Sequence, residues 1–296
     1  MRSNRHQITV RLAAADDRVG WREAARRLDQ AEIDPADVAW LVDDVQSDLF
    51  SGRPGEPSAT PVAVNDKARA DVQQPGRATA SSALQHGRRV PRAFIELTDA
   101  MLLHSDTGRF DLAYRLLVRL RREPALLAVA ADPDVARALR LAKAVRRDQH
   151  KMKAFVRFRK VTEPTTGSDV FIAWFEPEHH IIAATAPFFA GRFSNQRWSI
   201  LSPQCSMHWD TKCLQRSCGA QRSDWPTQDA METAWRTYFA SIFNPARLNE
   251  RAMAAEMPRK YWRNLPEAAD IPQLVATAPG RVASMIDPVT EKPAGA

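Results

Sequence analysis

The stretch from Arg137 to Lys160 (RALRLAKAVRRDQHKMKAFVRFRK) concentrates the side chains whose chemistry is easiest to name. It holds ten Lys or Arg against a single Asp, a net +9 in a chain whose total is +7. The rest of the chain is therefore slightly acidic. Basic charge confined to one stretch is the electrostatic footprint of a surface that meets a polyanion. At helical spacing Arg140, Lys143, Arg147 and Lys151 fall on one face, where they would contact phosphates. Arg157 and Arg159 extend that charge onto an alternating, strand-like run. The plain alternative is a solvated helix face. Such faces usually balance their cations with Glu or Asp one turn away, and this one offers only Asp148.

A second set is built on histidine. His150 lies on the basic stretch, and His179-His180 follow Glu176 and Glu178. A histidine beside a carboxylate can act as general acid or base, with Arg146 as a cationic neighbour. Three histidines and a glutamate could instead ligate a metal. The competing reading is a strand-to-helix corner at which His179 and His180 cap backbone groups; it is the preferred one, and no metal site is expected. A third set interleaves aromatic and basic residues: Arg197-Trp198 and Lys260-Tyr261-Trp262-Arg263-Asn264. Aromatic faces stack on unpaired bases while cations hold phosphates. Against that, Trp262 reads better as a core anchor with Lys260 and Arg263 reaching outward. Cys205, Cys213 and Cys218 match no common zinc spacing and read as ordinary thiols. No phosphate-cradling Gly-rich loop, nucleophile elbow or paired-carboxylate motif is present, and no cofactor is expected.

These residues need elements to position them. Ile8–Leu12 alternates as a strand, Asp16–Gln30 has helical spacing, and Val38–Val42 is strand-like again. If the two strands share a sheet they are parallel neighbours. Pro91 starts a helix. Asp106 or Thr107 can cap another that buries Phe110, Tyr114, Leu117 and Leu120. Asp132-Pro133 opens the basic helix, whose core stripe is read as Val135, Leu139, Ala142 and Val145; Arg146 lands on its apolar side, and the helix is expected to end near Met152. Phe155–Arg159 and Val170–Glu176 then form an antiparallel hairpin. A short helix spans about Ile181–Phe193. Trp198–Leu201 and Ser206–Asp210 read as strands, and from Thr227 the chain is helical once more.

The fold class expected is mixed α/β (α+β): a small, largely antiparallel sheet surrounded by helices. The organisation expected is residues 1–50 as a strand-helix-strand segment, 51–88 as a disordered linker or insertion, 89–278 as the main domain and 279–296 as a flexible tail. Ser51–Arg88 is rich in Pro, Gly, Ala and Ser and has too little to bury. No run approaches the 18 or so apolar residues that span a bilayer, and MRSNRHQITV lacks an apolar signal core, so a cytoplasmic protein away from membranes is expected.

The runs VPRAFIEL, AKAVRRDQHKMKAFVRFR, FIAWFEPEHHII, APFFAGRFSNQRWSIL, YFASIFNPARLNERAM and EMPRKYWRNLPEA together resemble a bacterial family labelled a probable DNA metabolism or putative DNA repair protein. In that family the domain often precedes a uracil-DNA glycosylase domain of the UdgX type, or stands alone as the partner of a radical-SAM DNA-repair-like protein. The resemblance covers about Trp21–Ile286, apart from Ser51–Arg88. It implies a context of DNA repair, with a glycosylase or radical-SAM partner, rather than a mechanism. The glycosylase's water-activating and DNA-intercalating loops are not found, so uracil excision by this chain is not expected. The reading is a DNA-binding accessory protein that contacts nucleic acid through the basic helix and hairpin. The alternatives are a nuclease- or lyase-like enzyme centred on His150, Arg146 and His179, and a partner-docking scaffold.

Overall fold

The computed structural model describes residues 8–43, 60–61, 90–163, 167–226, 236–237 and 240–286. The chain divides into two compact units: residues 1–151 with 177–188, and residues 152–176 with 189–296.

In the first unit, β1 (Ile8–Leu12) and β2 (Val38–Val42) pair in parallel, with Ile8 opposite Val38. The connection between them is α1 (Arg18–Gln30), capped by Asp17, whose carboxylate accepts from the Gly20 N–H at 2.8 Å. Trp21, Ala25 and Leu28, spaced three and four residues apart, are buried along one stripe of α1. They meet α2 (Arg92–Met101), α3 (Arg109–Arg119) and α4 (Pro133–Phe155) in one core through Phe94, Phe110, Tyr114, Leu116, Ala138 and Ala142. Trp40 sits in an aromatic group, its ring centroid 6.0–6.3 Å from those of Trp21, Phe110 and Tyr114. The Tyr114 hydroxyl donates to the Ile33 carbonyl at 2.8 Å, and burial pushes its pKa up to about 12. Arg109 is 3% exposed. It is satisfied by the carbonyls of Leu102, Asp106 and Ala15 at 2.8, 2.9 and 2.7 Å, and burial pulls its pKa down to about 10.

In the second unit, five strands form a sheet in the order β7-β6-β5-β4-β3: β3 (Phe158–Thr162), β4 (Asp169–Trp174), β5 (Trp198–Leu201), β6 (Cys205–Trp209) and β7 (Leu214–Cys218). Neighbours are antiparallel except β4 and β5. The crossover between that parallel pair contains α5 (Ile182–Arg192). One sheet face packs Phe158 against Phe189, Phe193 and Trp198. On the other face the register lines up Arg159, Ile172, Ser199, His208 and Gln215. After the sheet come α6 (Glu250–Glu256), α7 (Arg259–Trp262) and α8 (Ile271–Ile286), with a core of Leu265, Ala268 and Ile271. The fold is thus mixed α/β with a largely antiparallel sheet.

Several boundaries differ from the sequence expectation. Helix α4 runs to Phe155 rather than stopping near Met152, because Phe155 stacks on Tyr261 with centroids 5.4 Å apart and so belongs to a packed surface. Its core stripe is Val135, Ala138, Leu141, Ala142, Val145 and Met152. Leu139 is 44% exposed, and Arg146 is exposed as well. The two are seven residues apart and share a face, so placing Leu139 inside drew Arg146 in with it. Strand β7 was not foreseen. It follows a turn at which the Asp210 carboxylate accepts from the Lys212 and Cys213 N–H groups, each at 2.8 Å. The expected tail from 279 begins too early, since α8 continues to Ile286. Ile271, Val275 and Ala278 keep that helix on the core through Pro279. The expected linker, apart from Thr60–Pro61, lies outside the described residues, as does the tail beyond Ile286.

Candidate nucleic-acid interface

Helix α4 is placed by its start. The Asp132 carboxylate accepts from the Asp134 and Val135 N–H groups at 3.0 and 3.1 Å, and Pro133 takes the first helical position. The Arg119 guanidinium bonds the same carboxylate at 2.6 Å and holds its pKa down at about 2. Asp134 pairs with Arg115 and Arg119, both at 3.1 Å, which fixes α4 on α3. With the stripe from Val135 to Val145 turned inward, the opposite face must point to solvent. Arg140, Lys143 and Arg147 are exposed there and Lys151 is half-buried. Among the described residues none of the four forms an ion pair. From Arg140 to Lys151 they span twelve residues, about 16 Å along the helix axis, which matches roughly five nucleotide rises of one strand.

Asp148, the expected counter-charge, does not serve that face. It is 3% exposed, and one carboxylate oxygen accepts from the backbone N–H groups of Glu178 and His179 at 2.9 and 3.0 Å. The basic face therefore has no carboxylate of its own helix beside it.

The histidine set is divided by the structure. His150 is exposed on α4, and Arg146 reaches the Glu96 carbonyl at 3.5 Å. His179 is buried, its ring 4.1 Å from that of His104. The His179 Nδ1 accepts from the Ser105 N–H at 3.3 Å and faces the Ser105 hydroxyl at 3.1 Å, while the His180 N–H donates to the Leu103 carbonyl at 2.8 Å. His104 Nδ1 accepts from the Asp106 N–H at 2.9 Å, and burial lowers its pKa. These contacts tie loops together, as the capping alternative expects. Glu176 belongs to the second unit, where Trp174 Nε1 donates to it at 2.8 Å and Arg263 pairs with it. Among the described residues no group of three or more His, Cys, Asp or Glu is placed to hold a metal. The three cysteines are free thiols; Cys205 and Cys218 face each other across β6 and β7.

The remaining cations of the sequence reading have local work. Arg157 donates to the buried Glu267 carboxylate from Nε and Nη2 at 3.1 and 2.9 Å, and to the Ala154 carbonyl at 2.7 Å. Arg197 lies 3.5 Å from Glu163, and Trp198 beside it is buried in the sheet core. Lys260 sits over the Tyr261 ring at 4.8 Å. Tyr261 is buried between Phe155 and Phe175. Trp262 anchors through Nε1 to the Met257 carbonyl at 2.9 Å. Arg159 lies on the Trp225 ring at 3.6 Å and donates to the Pro226 carbonyl.

Around Arg159 the second unit builds a cluster that the sequence reading only half anticipated. Arg222 lies 5.2 Å from the Trp225 ring and 6.0 Å from the Trp174 ring. It donates to Asn264 Oδ1 at 2.8 Å and to the Arg263 carbonyl at 3.4 Å. Arg222 and Arg263 thus approach one carboxylate, Glu176, while Arg159 and Arg222 lie against the Trp225 ring. The signal was present in Arg222-Ser-Asp-Trp225, another aromatic-basic pairing, but with its members three residues apart.

A family model described as a domain of unknown function, DUF4130, matches residues 107–267, more than half of the chain. The chain belongs to this family. No curated protein and no solved structure matches. The DUF4130 region contains α4, the sheet and the arginine–tryptophan cluster. Among the described residues, no helix is long and apolar enough to cross a membrane.

Proposed function

We propose that this DUF4130 protein binds DNA through the exposed face of α4. The observation that carries this reading is the one-sided charge of that helix. Arg140, Lys143, Arg147 and Lys151 share a face, and Asp148, the acidic group nearest to them in sequence, is turned into the interior. A helix whose stability alone mattered would gain from Glu at four-residue spacing, and this one forgoes it. Electrostatic contact of this kind is sequence-independent and positions a protein on its nucleic acid. The resemblance to DNA metabolism and repair proteins supplies the context: an accessory protein that delivers or holds DNA for a glycosylase or radical-SAM partner. The buried, backbone-bound His179 gives no comparable support to a nuclease- or lyase-like reading.

The test is fluorescence anisotropy of single- and double-stranded oligonucleotides with purified protein over a salt series. Log affinity should fall linearly with log salt, with a slope of about 0.9 per contacted duplex phosphate and about 0.7 per single-strand phosphate. Binding that is undetectable at low salt, or indifferent to salt, would contradict the proposal and favour a docking scaffold.

A further inference from the structure

Beside Arg159 the second unit holds a cleft of about 450 Å³. That volume lies in the range of small-molecule sites. Four of its lining residues carry recognition chemistry: Arg159, Trp262, Arg263 and Asn264. Arg159 is held in place by the Trp225 ring on which it lies, and Arg263 by Glu176. Cations fixed before a ligand arrives lose little entropy on binding it, and a guanidinium fork matches phosphate oxygens. Asn264 is oriented by its neighbour. Arg222 can only donate, so the carboxamide oxygen must face it at 2.8 Å, and the Nδ2 hydrogens are left as donors. Trp262, fixed through its indole N–H to Met257, contributes an aromatic wall. Two phosphate-matching cations, an indole wall and an amide donor form a set suited to a phosphate ester that carries a flat, acceptor-rich ring.

We infer that this cleft is a nucleotide site: it takes one nucleoside monophosphate, with the phosphate on Arg159 and Arg263, the base along Trp262 and a base acceptor on Asn264. The choice of a nucleotide over other aromatic phosphates rests on the DNA reading above. The nucleotide can come from two sources, free in solution or as one unit of a single strand, and both present the same groups.

Isothermal titration of the full chain with dTMP, thymidine and inorganic phosphate tests the site. dTMP should bind at least about tenfold more tightly than either fragment, since each fragment forgoes either the charge-assisted bonds or the stacking contact. Ala269 is exposed on the cleft wall, so Ala269→Trp fills the space without disturbing a packed position. That variant and Arg159→Gln should each weaken dTMP about tenfold or more, Ala269→Trp doing so with an unchanged melting temperature. A dT8 oligonucleotide distinguishes the sources: displacement of dTMP assigns the cleft to a strand, and simultaneous binding assigns it to free nucleotide. If dTMP binds no better than phosphate, or Ala269→Trp binds it as wild type does, the inference is overturned, even where oligonucleotide binding stays salt-dependent. If dTMP binds as expected but oligonucleotides do not, the DNA reading fails and the cleft stands.

Discussion

Asp148 separates a solvated helix from the one described above. As a surface counter-charge, its replacement by Ala would cost within about 0.5 kcal/mol, like other surface changes. In the structure its carboxylate is buried and accepts from the Glu178 and His179 N–H groups at 2.9 and 3.0 Å. A hydrogen bond to a charged group contributes about 1.5–3 kcal/mol, so two lost bonds set an upper range of about 3–6 kcal/mol. Entry of water at the Glu178 side, which is only partly buried, offsets part of that, and we expect Asp148→Ala to cost about 3 kcal/mol. Asp148→Asn keeps an acceptor oxygen without the charge and should cost about half as much. Urea unfolding followed by circular dichroism gives the global value. Hydrogen exchange at the Glu178 and His179 amides gives the local one and should accelerate in Asp148→Ala before other amides do. A cost near zero with unchanged exchange at both amides would refute the placement of Asp148, and with it the argument that the basic face lacks a carboxylate of its own helix.

Arg109→Met should be destabilised by about 3 kcal/mol, because three carbonyls lose a buried donor that a thioether cannot replace; an unchanged urea midpoint would contradict this. Burial between Ser199 and Ser217, each 2.8 Å from a ring nitrogen, lowers the pKa of His208 below its ordinary value of 6.5. The unfolded chain therefore binds the proton first, and stability present above about pH 6.5 is lost as pH falls through that range and below. His208→Gln should flatten that loss between pH 7 and 5 without abolishing it, since His104 is shifted in the same direction; a wild-type slope in the variant would exclude His208 as a source. The capping role of His179 predicts that His179→Gln lowers stability while leaving the oligonucleotide salt slope intact; loss of DNA binding without loss of stability would return His179 to the functional residues.

Much of the architecture was legible because it rests on periodicity. The strand-helix-strand start, the Asp132-Pro133 opening of α4 and the change to two-residue alternation at β3 follow from spacing and capping chemistry. The basic face was legible for the same reason, since Arg140, Lys143 and Arg147 recur at helical intervals. What spacing cannot show is which side of a helix the rest of the chain covers. That uncertainty put Leu139 in the core and left Asp148 on the surface. Strand β7 escaped because Gln215, Arg216 and Ser217 look like loop residues until β6 supplies their hydrogen bonds. The arginine–tryptophan cluster was half seen for a similar reason. Arg159, Arg222 and Arg263 are far apart in sequence, and only folding brings Arg222 and Arg263 to Glu176 and Arg159 and Arg222 to Trp225.

The central claim, DNA contact through α4, is tested most directly by the salt dependence of oligonucleotide binding in the triple variant Arg140→Gln, Lys143→Gln, Arg147→Gln. These side chains lie on the face opposite the core stripe, so the variant should remain folded by circular dichroism. Each phosphate contact removed should lower the slope of log affinity against log salt by about 0.9, so the three together should flatten it by about two to three on duplex DNA. A folded triple variant that binds with the wild-type slope would show that DNA is held elsewhere and would contradict the account.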